Sequence, residues 1–126
     1  MELLLPLPVR EAILQLRSLP NPPGSIIIHG LPIDKNLPAT PADGRRSKAK
    51  TGSLSEAVLV GICAILGEPV AFRVEKGSLV QDICPVSGAE SEHTNRSSAN
   101  QLGLHVENAF FHHRDHYLAR IFHSGV

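Results

Sequence analysis

The sequence has no tryptophan, one tyrosine, one methionine and only two cysteines. Cys63 and Cys84 are too few for a disulfide framework, so we expect both to be reduced thiols of a cytoplasmic protein. Basic and acidic residues balance at twelve each, which leaves no net positive charge of the kind that binds nucleic acid. These scarcities exclude a disulfide-rich secreted scaffold and argue against a nucleic-acid partner.

Long apolar runs are also absent. The longest, Ala57–Leu66, is far shorter than the roughly 20 residues that cross a bilayer. The apolar start of the chain, Met1–Leu7, is broken by Pro6 and carries an acidic residue where a secretion signal is basic. We therefore expect no membrane partner and a cytoplasmic location. A chain of 126 residues is enough for one modest domain.

Two segments have the periodicity of amphipathic helices, Val9–Leu19 and Ser53–Leu66. Ser53 and Glu56 fit a capping box at the start of the second helix, and Gly67 suits a left-handed residue after its end. The residues that we expect to face a core are Val9, Ala12, Ile13 and Leu16 in the first helix, and Leu54, Val58, Gly61, Ile62 and Ile65 in the second.

Short runs rich in β-branched and apolar residues predict strands between these helices and after them. Continuous apolarity from Ile26 to Ile28 indicates a strand that is buried on both faces. Polar stretches at 34–52 and 85–100 are typical of loops, so the pattern favours an α+β fold. The predicted strands are Ser25–His29, Pro69–Val74, Ser78–Ile83, Leu102–Phe110 and Tyr117–Phe122.

A histidine and a carboxylate are separated by one residue within Leu102–Phe110. In a strand, His105 and Glu107 would project from one face while Leu104 and Val106 pack on the other. An imidazole nitrogen beside a carboxylate oxygen supplies two ligands of the 2-His-1-carboxylate triad that binds non-haem Fe(II). The same spacing also fits a strand end at which the two side chains are solvated or paired with each other. The spacing alone leaves both interpretations open.

Several motifs accompany this pair along the chain: Val80-Gln81-Asp82-Ile83-Cys84-Pro85, Thr94-Asn95-Arg96-Ser97, Leu104-His105-Val106-Glu107-Asn108-Ala109-Phe110, His113-Arg114 and Tyr117-Leu118. Upstream lies His29-Gly30-Leu31-Pro32-Ile33. In order and spacing these motifs resemble the clavaminate synthase-like group of the taurine dioxygenase superfamily, whose members are iron- and 2-oxoglutarate-dependent oxygenases. The resemblance extends over most of this chain but over only the first part of the family's domain.

The resemblance implies a jelly roll, or double-stranded β-helix, which is incomplete here and is flanked by N-terminal helices. It implies Fe(II) as the cofactor, 2-oxoglutarate as the co-substrate and an amino acid as the small-molecule substrate. His105 and Glu107 match two of the family's metal ligands. Gln81 and Asn95 lie close to positions at which relatives contact the amino acid. An ordinary structural role for Gln81 stays open.

The family's third metal ligand, a histidine, and the arginine that binds 2-oxoglutarate lie far downstream of the His-x-Glu motif. This sequence ends at Val126, nineteen residues after Glu107, so neither group is present. We therefore expect residues 1–126 to be the N-terminal portion of a single oxygenase domain that is inactive alone. Half of such a domain leaves open edges and an uncovered apolar face, which predicts marginal stability, self-association or a partner that supplies the second half.

Two other functions are compatible with the sequence. A non-enzymatic binding or assembly module would use the open edges for dimerisation. A small zinc-binding protein would use the histidines close to the C-terminus, which are His112, His113, His116 and His123. The resemblance attributes this region instead to a turn, in which Asp115 stands where relatives commonly have proline. The turn thus lacks the stiffness that a proline gives.

Overall fold

The computed structural model describes residues 5–73 and 76–123, and this part of the chain contains two α-helices. α1 is Leu7–Ser18 and α2 is Leu54–Leu66. Their bounds lie within two residues of those predicted from the periodicity, which confirms both helices. At 12 and 13 residues, both helices are too short to cross a bilayer.

The two helices pack against each other in a compact unit formed by residues 5–34, 53–73, 76–79 and 117–123. Ile13 of α1 and Val58 of α2 are fully buried, and each such side chain contributes about 1.5–3 kcal/mol relative to exposure. The core therefore forms on the faces that the periodicity predicts. Its other members are Leu5 and Ile62, with Val9, Ile26, Ile28, Leu31, Leu54, Ile65 and Leu66 partly buried around them.

Asp34, rather than Ser53, caps the N-terminus of α2. The backbone N–H groups of Leu54 and Ser55 donate to Asp34 Oδ1 and Oδ2, each at 3.1 Å. The Ser55 hydroxyl donates to Oδ2 at 2.9 Å, and the negative charge is favourable at a helix N-terminus. Ser53 makes no capping hydrogen bond through its side chain, so the predicted capping box is wrong. The left-handed conformation predicted for Gly67 is also wrong, because its φ of 171° is extended.

The predicted jelly roll is wrong for the part of the chain that the structure describes, since no β-strand occurs there. β-Branched and apolar runs favour extended backbone, but a strand also needs a neighbour that pairs with its N–H and C=O groups. Ile26 and Ile28 instead pack against the core while Ile27 is 81% exposed, so this segment is buried on one face and not both. α2 correspondingly packs on α1 rather than covering a sheet.

The remaining predicted strands are irregular or turn segments wherever they are described: Pro69–Val74, Ser78–Ile83, Leu102–Phe110 and Tyr117–Phe122. Val74 lies outside the described residues.

A second compact unit consists of residues 35–52 and 80–116. Its backbone is held by hydrogen bonds between turns, including Ser87 N–H to the Ala42 carbonyl at 2.9 Å and Val86 N–H to the Arg96 carbonyl at 3.0 Å. Both predicted polar loops fall largely in this unit and are irregular, as expected. All four candidate site residues also lie in it. That the chain is one portion of a single oxygenase domain stays a prediction.

Candidate metal centre

The side chains of His105 and Glu107 lie side by side in the second unit. Nε2 of His105 is 3.3 Å from Oε1 of Glu107, and the two side chains are 44% and 39% exposed. The backbone here is irregular, yet the one-residue spacing still brings the two groups together. Leu104 and Val106 are exposed, so the prediction that they pack on an opposite, buried face is wrong.

The other ring nitrogen of His105 is anchored to the backbone. Nδ1 lies 2.8 Å from the carbonyl oxygen of Gly103. A carbonyl oxygen only accepts hydrogen bonds, so Nδ1 carries the proton and donates it. Histidines that bind metals commonly donate their second ring N–H to a backbone carbonyl in this way. The anchor fixes the ring orientation and leaves Nε2 as the atom that faces the carboxylate.

The contact between Nε2 and Oε1 places an imidazole nitrogen and a carboxylate oxygen 3.3 Å apart. A proton between the two atoms makes this contact a hydrogen bond, and a metal ion bound by both atoms would also hold them together.

The spacing of the two donor atoms fits a shared metal ion. Ligand nitrogen and oxygen atoms lie about 2.0–2.1 Å from such an ion, so two neighbouring ligands are about 2.9–3.4 Å apart in octahedral or tetrahedral geometry. The observed 3.3 Å falls within this range. Across residues 5–73 and 76–123, however, no group of three or more His, Cys, Asp or Glu side chains is arranged to hold a metal. Two ligands alone bind a metal weakly and do not fix its geometry.

A tight turn follows Glu107 directly. Asn108 has a φ of 53°, in the left-handed region, and the N–H of Phe111 donates to its carbonyl at 2.9 Å. The side-chain amide of Asn108 also donates to Oδ2 of Asp115 at 3.2 Å. This hydrogen-bonded pair was not predicted from the sequence. The available signal was that asparagine tolerates left-handed backbone and is common in turns.

Gln81 and Asn95, the predicted substrate contacts, are both exposed. In the described part of the chain, neither forms a hydrogen bond with His105 or Glu107. The structure therefore brings together the two predicted metal ligands but does not join the two predicted substrate residues to them. Their role in substrate binding stays a prediction.

The loop that carries Asn95 is organised around Glu90. The N–H of Gly88 donates to Oε1 of Glu90 at 2.9 Å, and the N–H of Ala99 donates to the Glu90 carbonyl at 2.9 Å. The hydrogen bond from Gly88 stabilises the charged carboxylate and lowers the pKa of Glu90. The polar segment 85–100 thus has a defined turn structure although it has no helix or strand.

The histidines after the turn are exposed: His112, His113, His116 and His123. They do not complete a cluster of metal ligands with one another or with other side chains of the described chain.

The sequence is similar to several characterised enzymes. It is 40% identical over 111 residues to the L-asparagine oxygenase of Streptomyces coelicolor, a match that covers 86% of this chain and 33% of that protein. It is 35% identical over 117 residues to the enduracididine beta-hydroxylase of Streptomyces hygroscopicus, with 90% of this chain and 34% of that protein covered. It is 34% identical over 89 residues to the L-lysine 3-hydroxylase of Catenulispora acidiphila, with 69% of this chain and 24% of that protein covered.

No protein-family model and no solved structure matches the chain. The chain spans about a third of the length of the first two relatives. All three are named as enzymes that oxygenate or hydroxylate amino acids or related compounds, and these matches confirm the resemblance read from the motifs. The chain is homologous to the N-terminal third of these enzymes, which are members of the clavaminate synthase-like group.

Proposed function

We propose that these residues are the N-terminal part of an Fe(II)- and 2-oxoglutarate-dependent oxygenase that hydroxylates or desaturates a free or carrier-bound amino acid. The observation that carries the proposal is the 3.3 Å contact between His105 Nε2 and Glu107 Oε1, in a chain similar to amino-acid oxygenases and hydroxylases. The anchored Nδ1 of His105 supports a ligand role for Nε2, because an ordinary surface ion pair has no need of a fixed ring.

His105 and Glu107 would hold the metal through Nε2 and Oε1. The Gly103 carbonyl orients the imidazole, and the Glu107 carboxylate offsets positive charge of the ion. When bound, Fe(II) and 2-oxoglutarate supply the O2-dependent oxidation of the amino acid. Because both ligands must be deprotonated to bind the ion, its affinity falls as the pH is lowered.

The same chain is proposed to be inactive by itself. Two protein ligands leave the metal loosely held, and the described residues contain no third ligand beside them. The first two relatives are about three times as long as the matched region. We propose that further polypeptide supplies the third ligand and the group that binds 2-oxoglutarate.

Exposed apolar side chains favour such a second polypeptide segment. Leu104 and Phe110 are fully exposed, and Val106 is also exposed. Patches of this kind commonly mark an interaction surface. A second copy of the chain would also cover these side chains, which is the assembly-module alternative. Size-exclusion chromatography with light scattering distinguishes a second copy of the chain from a different polypeptide segment. A dimer of the unmodified chain that becomes a monomer in the Phe110→Ser variant favours self-association. A chain that is monomeric at all concentrations excludes self-association.

Metal binding tests the ligand assignment. Zn(II) is titrated into the purified, untagged 126-residue chain and followed by the ring resonances of its histidines. We expect saturable binding that His105→Ala and Glu107→Gln each abolish, whereas His112→Ala, at an exposed histidine outside the pair, leaves it unchanged. If His105→Ala and Glu107→Gln both leave Zn(II) binding unchanged, the ligand assignment is refuted.

Measurements of turnover test the proposed activity and the proposal that the chain is inactive by itself. The chain, supplied with Fe(II), 2-oxoglutarate and L-asparagine or L-lysine, is expected to form no succinate alone. Adding the remaining two thirds of the L-asparagine oxygenase as a separate polypeptide is expected to yield succinate, and His105→Ala should abolish it. Succinate from the chain alone would refute the proposed incompleteness. The nucleotide sequence beyond codon 126 provides an independent test, since a continuing frame should encode a histidine ligand and an arginine.

A further inference from the structure

We propose that one zinc ion joins two copies of this chain through their His105–Glu107 pairs, so that each copy supplies the two ligands that the other lacks. The dimer rests on the proposed function only for the assignment of these two side chains as metal ligands. Three features of the pair support it, namely the distance between its donor atoms, its position at the surface and its charge.

The distance between the donor atoms matches one edge of a tetrahedral zinc site. With bonds of about 2.0–2.1 Å, neighbouring ligand atoms are about 3.3–3.4 Å apart at the tetrahedral angle and about 2.9 Å apart at the right angle of an octahedral site. Nε2 of His105 lies 3.3 Å from Oε1 of Glu107, which is the tetrahedral value. Nδ1 of the same ring donates to the Gly103 carbonyl, so Nε2 is the nitrogen that a metal would take. The pair therefore fills two of the four positions around a zinc ion.

The two remaining positions have the same geometry as the two that the pair fills. A tetrahedron has a two-fold axis through its centre that exchanges one edge with the opposite edge. A second copy related by that axis places its own imidazole nitrogen and carboxylate oxygen on the opposite edge, as in other isologous dimers. Structural zinc sites usually have four protein ligands, and the described residues of one chain arrange no group of three. A second copy of the pair therefore completes the site.

The pair lies where another chain can reach it. The side chains of His105 and Glu107 are 44% and 39% exposed. Leu104 and Val106, on either side of His105, are also exposed, as is Phe110. Because these apolar side chains adjoin the ligands, a dimer around the metal brings both sets close to the two-fold axis and removes part of their surface from water. Their burial adds to the stabilisation that the metal provides.

The charges favour two copies on one ion. Each pair carries one negative charge when it binds a metal, because the imidazole binds as a neutral ligand and the carboxylate as an anion. Two pairs therefore balance the double positive charge of one zinc ion. The whole chain has twelve basic and twelve acidic residues, so two copies approach each other without net repulsion. A third copy would exceed both the charge balance and the four positions, which limits the assembly to a dimer.

Light scattering during a zinc titration tests the dimer on the purified, untagged 126-residue chain. We expect a monomer in EDTA and a dimer with Zn(II), whose fraction reaches its maximum at about half an ion per chain. Co(II) in place of Zn(II) should give the strong visible absorption of a tetrahedral site rather than the weak absorption of an octahedral one. His105→Ala and Glu107→Gln each remove one ligand from both copies, so both variants should stay monomeric with Zn(II).

His112→Ala and Cys84→Ser are the matched controls. Each removes a side chain that can bind zinc but lies outside the pair. Both variants should form the Zn(II)-dependent dimer as the unmodified chain does. Helical circular dichroism at 222 nm shows whether every variant keeps its two helices, so that a monomer caused by unfolding is recognised.

The outcomes separate the dimer from the proposed function. A Zn(II)-dependent dimer, with no succinate after the remaining two thirds of the L-asparagine oxygenase are added, supports the dimer and refutes the proposed activity. One Zn(II) per monomeric chain, lost in His105→Ala, supports the ligand assignment and refutes the dimer. A dimer that persists in EDTA, or that forms equally in His105→Ala and Glu107→Gln, also refutes the zinc bridge. A chain that binds no Zn(II) refutes both the bridge and the ligand assignment.

Discussion

Replacing Asp34 with alanine should cost α2 the cap on its N-terminus. The carboxylate accepts three hydrogen bonds, from the N–H groups of Leu54 and Ser55 and from the Ser55 hydroxyl. Losing an N-terminal cap costs about 1–2 kcal/mol, losing the charge at the helix dipole about 0.5–1 kcal/mol, and leaving the buried hydroxyl without its acceptor about 1 kcal/mol. The expected loss in the free energy of unfolding is about 2–4 kcal/mol.

Urea unfolding followed by the helical circular dichroism at 222 nm measures this loss. For a slope of about 1–3 kcal/mol per M, a loss of about 2–4 kcal/mol lowers the midpoint by roughly 0.7–4 M. The midpoint of Asp34→Asn should fall by about half as much, because asparagine keeps one acceptor oxygen. Ser53→Ala is the control, since that hydroxyl makes no capping bond, and it should change the free energy by less than about 0.5 kcal/mol. A large loss in Ser53→Ala together with no change in Asp34→Ala would refute the capping arrangement.

The other predictions concern the core and the partly buried thiol of Cys63. Ile13→Ala should lower the free energy of unfolding by about 2–5 kcal/mol in the same urea assay, because Ile13 is fully buried. Leu14→Ala, at an exposed neighbouring position, should lower it little. Equal losses in the two variants would contradict the observed core. Burial raises the pKa of the Cys63 thiol, so the neutral thiol contributes stability below its unfolded pKa that disappears as the pH rises through the folded pKa. In a Cys84→Ser background, thiolate absorbance at 240 nm should therefore develop at higher pH in the folded chain than in urea; coincident titrations would contradict this.

The helices could be predicted from the sequence because their signal is local. The apolar spacing that marks Val9, Ile13 and Leu16 also decides which face of α1 is buried. The cap of α2 could not be predicted in this way, since Asp34 precedes Leu54 by twenty residues and only the folded chain brings them together. A serine directly before a helix is a statistical preference, and here a stronger acceptor from elsewhere takes its place.

The predicted strands could not be judged from local residue types alone. The run Ile26–Ile28 has the residue types of a strand, but those residue types report only that extended backbone is acceptable. Whether a strand forms depends on a hydrogen-bonding neighbour, which a single run of residues does not specify. In the described part of the chain, Ile26 and Ile28 pack against the helical core, while Ile27 between them is exposed.

The candidate site was partly accessible from the sequence. His105 and Glu107 are separated by one residue, and their side chains meet even without a strand because both are long enough to reach past the intervening residue. The hydrogen bond from Asn108 to Asp115 was not accessible, since it depends on a left-handed residue and a turn whose length no motif specifies. Local spacing thus predicts that the two side chains meet, while the turn that follows them is seen only in the structure.

The hydrogen bonds of Asp34 also bear on how this protein tolerates changes in length. Because Asp34 is held at the first turn of α2, the segment 35–52 departs from and returns to one place. The entropy of closing a loop rises slowly, by only about 0.6 kcal/mol for each doubling of its length. A change in the length of 35–52 should therefore cost the helix pair little closing entropy while the carboxylate of Asp34 is retained, and its effect should fall on the second unit, where the Ala42 carbonyl accepts from Ser87.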